Sequence, residues 1–177
     1  ALGHQVLGDP SIQDQIRRRF GDTVFRDTGE IDRGALGREV FGPDERQKRA
    51  RADLERIVHP GIRKGIEREI ARARSAGQVE VILLDAAVLF EAGWNDLCNA
   101  VFYVHVPDNV RLERVTRTRG WDEAELKKRE ASQWSLADKQ SRADGVVNNS
   151  GSLEEAGAQL EQLVRQLIHD SSLPSNE

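Results

Sequence analysis

Apolar residues recur at helical spacing in the first part of the chain. Ile12, Ile16 and Phe20 fall at positions i, i+4 and i+8, which places them on one stripe of a helix. Asp9 and Pro10 precede this stripe, as an N-cap residue and a proline of the first helical turn commonly do. The pattern predicts an amphipathic helix that begins at Pro10 and packs its apolar stripe against a core.

Three more helices are predicted before residue 78. Asp32 can cap a short helix, and a second helix is expected over about residues 43–58. Because the residue before a proline is disfavoured in the α region, this second helix should break at His59-Pro60. A third amphipathic helix starts around Ile62 and is closed by Gly77. The first 77 residues are therefore expected to form a helical region.

The pattern then changes to short, nearly continuous apolar runs. Val79–Leu84 and Val101–Val106 are such runs, and Asp144–Asn149 (DGVVNN) is predicted as a third, shorter strand. Runs of this kind suit strands that are buried on both faces of a parallel sheet. The final helix is expected to carry Leu153, Leu160, Leu163, Val164 and Leu167 on one face. Strands alternating with helices indicate an α/β fold in which three strands form a thin sheet.

Composition narrows the possible functions. The 177 residues fit one domain, and 32% of them are charged. The formal net charge of −4 does not favour a nucleic acid or an anionic membrane as partner. One cysteine excludes an intramolecular disulfide, which favours a reducing cytoplasm, and the histidines lack paired zinc spacing. No apolar run approaches the ~18 residues of a membrane span.

Candidate chemistry begins where the first predicted strand ends. Asp85 follows that strand, at the end where ligands bind in open α/β sheets. Its carboxylate could reach Mg²⁺ through water or accept a hydrogen bond from a substrate hydroxyl, or it could merely cap the next turn. Leu89, Phe90 and Glu91 follow, and Phe90 taken alone suits a core position. His59, at the predicted helix break, could meet a substrate, although a lone histidine is more often structural.

Basic residues form two further groups. One follows Pro107 and comprises Arg111, Arg114, Arg117 and Arg119, with Gly120 as an expected break after a helix. Arginine forks bind phosphates, but salt bridges on a solvated helix explain the same spacing. The other group is Arg142 before the third strand, with Asn149 at its end. Arg142 could face a nucleotide or form an ion pair with Asp138 or Asp144.

The order of these features is more specific than any one of them. The stretches VLGDP, TGEIDRGALGREVF, DLERIVHPGIR, VILLDAAVLFEAGW, AVFYVHVP with RLERV, RGWDEAEL, REASQ and KQSRADGVVNNSGS follow one another along the chain. In this order they resemble the dephospho-coenzyme A kinase family over nearly the whole length. The resemblance implies a P-loop kinase-like parallel sheet flanked by helices. It also implies the reaction ATP + 3'-dephospho-CoA → ADP + CoA, the last step of coenzyme A synthesis, with Mg²⁺.

The resemblance also implies roles for individual residues. Arg119 and Arg142 would stabilise phosphate charge, and Arg142 with Asn149 would bind the nucleotide. His59 and the Leu89–Glu91 turn would lie near dephospho-CoA, and Asp85 near the metal. A single domain is expected, with a helical substrate-binding region over about residues 10–77, a core over 78–106 and 144–170, and a lid over 107–143. The expected state is a cytoplasmic monomer or weak oligomer.

One family motif has no match. The family opens with a strand and a G-x-x-x-x-G-K-[ST] loop, and this pattern does not occur in the 177 residues. We therefore expect that a first strand, the phosphate-binding loop and a helix, about 30 residues in all, are missing, and that the chain as given is a nearly inactive fragment. Two alternatives stay open: another nucleoside or nucleotide kinase of the same fold, and a non-catalytic binding module without a P-loop.

Overall fold

The computed structural model describes residues 2–172, with side chains up to residue 169. The chain divides into two compact units, one that ends at Ala87 and one that begins at Val88. No helix in the described range combines the length and the apolar composition that crossing a membrane requires. The two units are treated one at a time below.

The first unit is helical. Its elements are four α-helices and one 3₁₀ turn, in the order α1 (Leu2–Val6), α2 (Pro10–Phe20), the 3₁₀ turn (Asp22–Val24), α3 (Arg33–Val40) and α4 (Glu45–Ala76). A single antiparallel bridge joins Phe25 to Ile31 between α2 and α3. The helical region predicted for this part of the chain is confirmed up to Ala76.

The predicted caps Asp9 and Asp32 begin two of these helices, and Gly21 ends one of them. Asp9 accepts a hydrogen bond from the N–H of Ser11 at 2.8 Å and so starts α2. Gly21 ends α2 with a φ of 77°, a conformation that favours glycine. Asp32 accepts from the N–H groups of Gly34 and Ala35 and starts α3. These side chains satisfy backbone donors that the first helical turn leaves without partners.

An apolar core joins α2, α3 and the first part of α4. Ile16 is 0% exposed, and Val24 and Val40 are each 1% exposed. The residues of this core that are buried are Ile12, Ile16, Val24, Ile31, Leu36, Val40 and Ala50. Burial of this apolar surface is the main favourable term in the folding of the first unit.

The predicted break before Pro60 is wrong, because α4 runs without interruption from Glu45 to Ala76. Ile57 and Val58, just before the proline, pack against the apolar core. Gly61, just after it, lies so close to Val6 of α1 that an added Cβ would be 3.1 Å from a Val6 methyl carbon. Tertiary contacts on both sides of Pro60 thus hold the helical path against the local preference of the proline.

The strand predicted over Val79–Leu84 is also wrong. This segment has no regular secondary structure, and its side chains remain accessible, with Val79 49% and Leu83 70% exposed. A strand is stabilised by hydrogen bonds to a neighbouring strand. Among residues 2–172, the only strand ladder pairs two strands of the second unit, so this apolar run has no ladder partner there.

The second unit contains the sheet. Its elements are a 3₁₀ turn (Trp94–Leu97), β1 (Phe102–His105), α5 (Asp108–Arg119), α6 (Glu123–Glu130), α7 (Leu136–Ser141), β2 (Gly145–Asn148) and α8 (Leu153–Ser172). The strands β1 and β2 are parallel, and Phe102 pairs with Gly145. The α/β class with a parallel sheet flanked by helices is therefore confirmed, as are the second and third predicted strands.

Helix α8 packs against β2. Gly145 lies so close to Phe102 and Leu163 that an added Cβ would be 3.1 Å from the ring and 3.4 Å from the leucine. Ser152 starts α8 with a reciprocal cap, because its hydroxyl accepts from Glu155 N–H and its own N–H donates to the Glu155 carboxylate. Leu153 was predicted on the apolar face but is 78% exposed, since it lies in the first turn.

Candidate functional site

Arg119 ends α5 beside a tryptophan. Its guanidinium carbon lies 4.9 Å from the centroid of the Trp121 ring, and that of Arg129 from α6 lies 4.1 Å from the same ring. Gly120, between Arg119 and Trp121 in the sequence, has a φ of 67°, so the predicted break after α5 is confirmed. Cation–π contacts of this kind attract a guanidinium to the ring face and restrict where it lies.

The other arginines of α5 serve internal contacts. Arg114 donates to the carbonyl oxygens of Asn149 at 2.8 Å and Gly151 at 3.0 Å, which ties α5 to the segment after β2. Arg111 Nε lies 2.7 Å from Glu130 Oε1 as an ion pair, although the two atoms are not aligned as a hydrogen bond. Arg117 forms an exposed ion pair with Glu113 at 3.9 Å. Three of the four arginines therefore make contacts within the protein, in line with the structural interpretation of their spacing.

Arg142 lies over a second tryptophan. Its guanidinium carbon is 4.8 Å from the centroid of the Trp134 ring, which in turn stacks on Phe90 with the centroids 6.1 Å apart and the planes at 4°. The ion-pair partners considered for Arg142 are engaged elsewhere. Asp138 accepts from the Ser135 hydroxyl, and Asp144 Oδ2 accepts from a backbone N–H at the start of β1.

Glu91 contacts both Trp134 and Lys139, next to the stack of Arg142, Trp134 and Phe90. Its Oε1 lies 2.8 Å from Lys139 Nζ and accepts the backbone N–H of Trp134 at 2.8 Å. Burial acts to raise the pKa of Glu91, but the hydrogen bonds from Lys139 and Trp134 outweigh it and hold that pKa below its ordinary value. Glu91 Oε2 is buried and makes no hydrogen bond within residues 2–172. Phe90, Glu91 and Arg142 are therefore brought together.

Leu89 and Asn149, two further predicted site residues, make hydrogen bonds through their backbones. Leu89 is half-buried, and its carbonyl oxygen accepts the N–H of Trp94 at 2.9 Å. Asn149 donates its N–H to the His105 carbonyl oxygen at 2.8 Å. Its carbonyl is held by Arg114 in the contact described above. These backbone hydrogen bonds hold the turn at Leu89 and the end of β2 at Asn149, and they do not involve the side chains of the two residues.

His59 and Asp85 belong to the first unit. His59 lies in α4, where burial lowers the pKa of its imidazole while Glu55 opposes that shift. Asp85 is exposed, in the irregular segment that replaces the predicted strand. Within residues 2–172, no three histidine, cysteine or carboxylate side chains gather as a metal site. The described residues therefore do not by themselves form a cage for Mg²⁺.

Sequence reasoning assigned no role to Lys139, Gln133 or Trp134. Lys139 is 8% exposed although it is charged, and Gln133 Oε1 accepts a hydrogen bond from it at 2.7 Å. The contact between Lys139 and Glu91 joins residues far apart in sequence, so no local spacing could have revealed it. A surface pocket of about 330 Å³ adjoins this cluster and is lined by Glu130, Ala131, Gln133, Trp134, Ser135 and Leu136.

Similarity to solved structures first defines the class of protein. The chain is similar to a crystal structure of TT1252 from Thermus thermophilus, with a TM-score of 0.74 and 28% identity over 94% of this chain and 81% of that one. It also has the fold of a dephospho-CoA kinase from Campylobacter jejuni, with a TM-score of 0.61 and 20% identity over 96% and 83% of the two chains. The chain therefore shares the α/β fold of these two proteins.

Sequence comparison then defines the family. The family model described as dephospho-CoA kinase matches residues 3–155. The dephospho-CoA kinase of Latilactobacillus sakei is 37% identical over 97% of this chain and 83% of its own length. That of Geobacillus kaustophilus is 38% identical over 86% and 73% of the two lengths. The chain belongs to the dephospho-CoA kinase family, and the predicted resemblance is confirmed.

Proposed function

We propose that this protein transfers the γ-phosphate of ATP to the ribose 3'-hydroxyl of dephospho-CoA. The family match over residues 3–155 carries the proposal. In phosphoryl transfer of this kind the protein contributes mainly positioning and neutralisation of charge. The chain's own residues would act in that way, by holding the two substrates and by placing positive charge beside the phosphates.

Arg119 and Arg142 are proposed to carry the charge neutralisation. A guanidinium that lies over an indole uses its flat face for that contact and keeps its N–H donors at its edge. Neither side chain makes a hydrogen bond or ion pair to the protein within residues 2–172, so these donors remain available for phosphate oxygens. Asn149 is proposed to assist Arg142 in binding the nucleotide.

The acceptor is proposed to meet His59, Leu89, Phe90 and Glu91. Burial favours the neutral imidazole of His59, which can both donate and accept a hydrogen bond. Oxygen Oε1 of Glu91 is already bound by Lys139 and Trp134, so only Oε2 is left for a substrate hydroxyl. Because Oε2 is buried, it meets a substrate only after a local movement of the turn.

Mg²⁺ is proposed to arrive with the nucleotide. This ion keeps several waters and needs only one or two protein carboxylates when phosphates supply other ligands. Asp85 is the proposed carboxylate and would act through water. The described residues do not form a metal site by themselves, so the proposal assigns no catalytic step to the ion.

The regional roles follow the family resemblance. Residues 10–77 are proposed as the helical substrate-binding region, 78–106 and 144–170 as the core, and 107–143 as the lid. We propose a cytoplasmic monomer or weak oligomer with small-molecule substrates and no nucleic-acid partner.

The His59-Pro60 and Arg142-Ala143-Asp144 stretches favour dephospho-CoA over other acceptors, and the family match disfavours a non-catalytic binding module.

Release of ADP from ATP, Mg²⁺ and dephospho-CoA tests the proposal. Two forms are compared, the 177-residue chain and a form in which a strand, a G-x-x-x-x-G-K-[ST] loop and a helix precede Ala1. We expect turnover from the extended form and very little from the 177 residues, since the loop supplies backbone amides and a lysine to the phosphates. Other nucleosides and nucleotides serve as competing acceptors. A folded extended form without turnover would overturn the kinase proposal.

A further inference from the structure

The charge of Lys139 is buried in the second unit. Lys139 lies in α7, and its side chain is 11% exposed. Removing an ammonium group from water is strongly unfavourable unless a partner of opposite charge and further hydrogen bonds compensate. Glu91 supplies the charge at 2.8 Å, and Gln133 supplies a hydrogen-bond acceptor at 2.7 Å. The lysine is thereby held at a defined point.

One carboxylate oxygen holds two segments. Glu91 Oε1 contacts Lys139 Nζ and also accepts the backbone N–H of Trp134. Both tied segments adjoin Arg142, because Arg142 is the C-cap residue of α7 and its guanidinium lies over the Trp134 ring. Phe90, next to Glu91 in sequence, stacks on the same ring.

Stability alone does not explain this arrangement. An apolar pair of similar volume commonly replaces a buried ion pair without loss of stability, whereas an ion pair specifies one arrangement of the groups that it joins. We propose that Lys139 is a positioning residue, which through Glu91 fixes Trp134 and the end of α7 and so places the Arg142 guanidinium for a nucleotide phosphate. The nucleotide part of this inference rests on the proposed function, and the geometric part does not.

Tryptophan emission of the 177-residue chain tests the geometric part. Arg142→Ala removes the guanidinium from the Trp134 ring and should shift the emission, while Trp94 and Trp121 contribute equally to both spectra and cancel. In a Lys139→Met background the stack is already lost, so Arg142→Ala should produce less than about a third of that shift, as expected for coupled residues. An equal shift in both backgrounds would overturn the inference.

Two variants control for folding. Glu91→Leu with Lys139→Met replaces the ion pair by an apolar pair, and it should keep the circular dichroism of the parent and most of its stability. In this double variant Arg142→Ala should still shift the emission little; a full shift would show that the ion pair does not place Arg142. Lys127→Met removes an exposed lysine that pairs with Glu123 on α6, and it should leave the Arg142→Ala shift unchanged.

Kinetics of the extended form test the nucleotide part. Arg142→Ala should raise KM for ATP about tenfold in the parent, the effect of losing a hydrogen bond to a charged group. In the Lys139→Met background the same change should raise KM for ATP less than twofold, with kcat affected less than KM. Additive effects would overturn the inference. If the extended form has no activity, the proposed function fails, and the emission cycle still decides the role of Lys139.

Discussion

Different kinds of contact stabilise the interiors of the two units of this protein. In the first unit, apolar side chains from consecutive helices meet in one core, and Ile16 and Val40 are almost completely buried. In the second unit, a buried lysine, its carboxylate partner and stacked aromatic rings join segments that are distant in sequence. The contrast teaches that periodic apolar patterns specify the first unit, while individual polar and aromatic contacts specify the arrangement of the second.

The largest expected effect comes from the apolar core of the first unit. Ile16→Ala should lower the free energy of unfolding by about 4 kcal/mol, because it removes buried carbon atoms and leaves a cavity. Hydrogen exchange of α2 and α3 amides measures the change in that unit. Leu83→Ala is the matched control, since Leu83 is 70% exposed and its truncation should cost less than about 0.5 kcal/mol. Equal effects at both positions would contradict the assigned core.

The second unit should respond to a change of charge instead. Glu91→Leu should destabilise it by about 3 kcal/mol, because Lys139 is left buried without its partner. Adding Lys139→Met should recover most of the loss and leave a net cost below about 1.5 kcal/mol. Urea unfolding followed by tryptophan emission is the measurement, since all three tryptophans lie in this unit. If the two single changes add without recovery, the ion pair does not organise the unit.

Helix caps should behave alike in both units. Asp32 caps α3 in the first unit by accepting two backbone N–H groups, and Asp122 caps α6 in the second by accepting that of Glu125. Alanine at either position should cost about 1 kcal/mol, measured as the loss in free energy of urea unfolding. Asp27→Ala, at an exposed position outside the helix N-caps, serves as the control. A large difference between the two cap variants would show that the contrast between units extends to local structure.

The smallest expected effect is a difference in acid sensitivity. Burial lowers the pKa of His59, so the unfolded state binds a proton first, and the first unit should lose stability as pH falls below the ordinary value of 6.5. Glu91 also has a lowered pKa, so its contribution should be lost only as pH falls below its ordinary value of 4.5. Thermal midpoints between pH 7 and 4 check this order. His59→Gln should remove the dependence near pH 6 and leave the lower one.

Local signals in the sequence predicted local structure well. The caps at Asp9 and Asp32, the break at Gly120 and the parallel strands at residues 102–105 and 145–148 follow from residue chemistry and hydrophobic period, and each is confirmed. The break at Pro60 and the strand at residues 79–84 failed because distant packing and the availability of a strand partner decide such elements. Local preference is then overridden.

The candidate site was predictable only in part. Phe90, Glu91 and Arg142 were chosen from their order in the chain, and the structure brings them together around Trp134. Trp134 and Lys139 were missed as members of this cluster, because a lone tryptophan or lysine in a polar stretch carries no periodic signal. The roles proposed for these three residues, and for Arg119, Asn149, His59, Asp85 and Leu89, remain predictions.

Helix α4 gives the first unit a long rigid strut. Its 32 residues span about 48 Å at the usual rise per residue, which exceeds the width of a small domain. Pro60 lacks a backbone N–H, so one rung of the hydrogen-bond ladder is absent near the middle of the strut. The half before Pro60 is anchored in the apolar core, and the half after it packs against α1, where Cβ atoms added at Gly61 and Gly65 would lie 3.1 Å from Val6 and Leu2. The helix is therefore supported on both sides of the missing hydrogen bond, and the part beyond Ile66 projects as a lever whose side chains are mostly exposed.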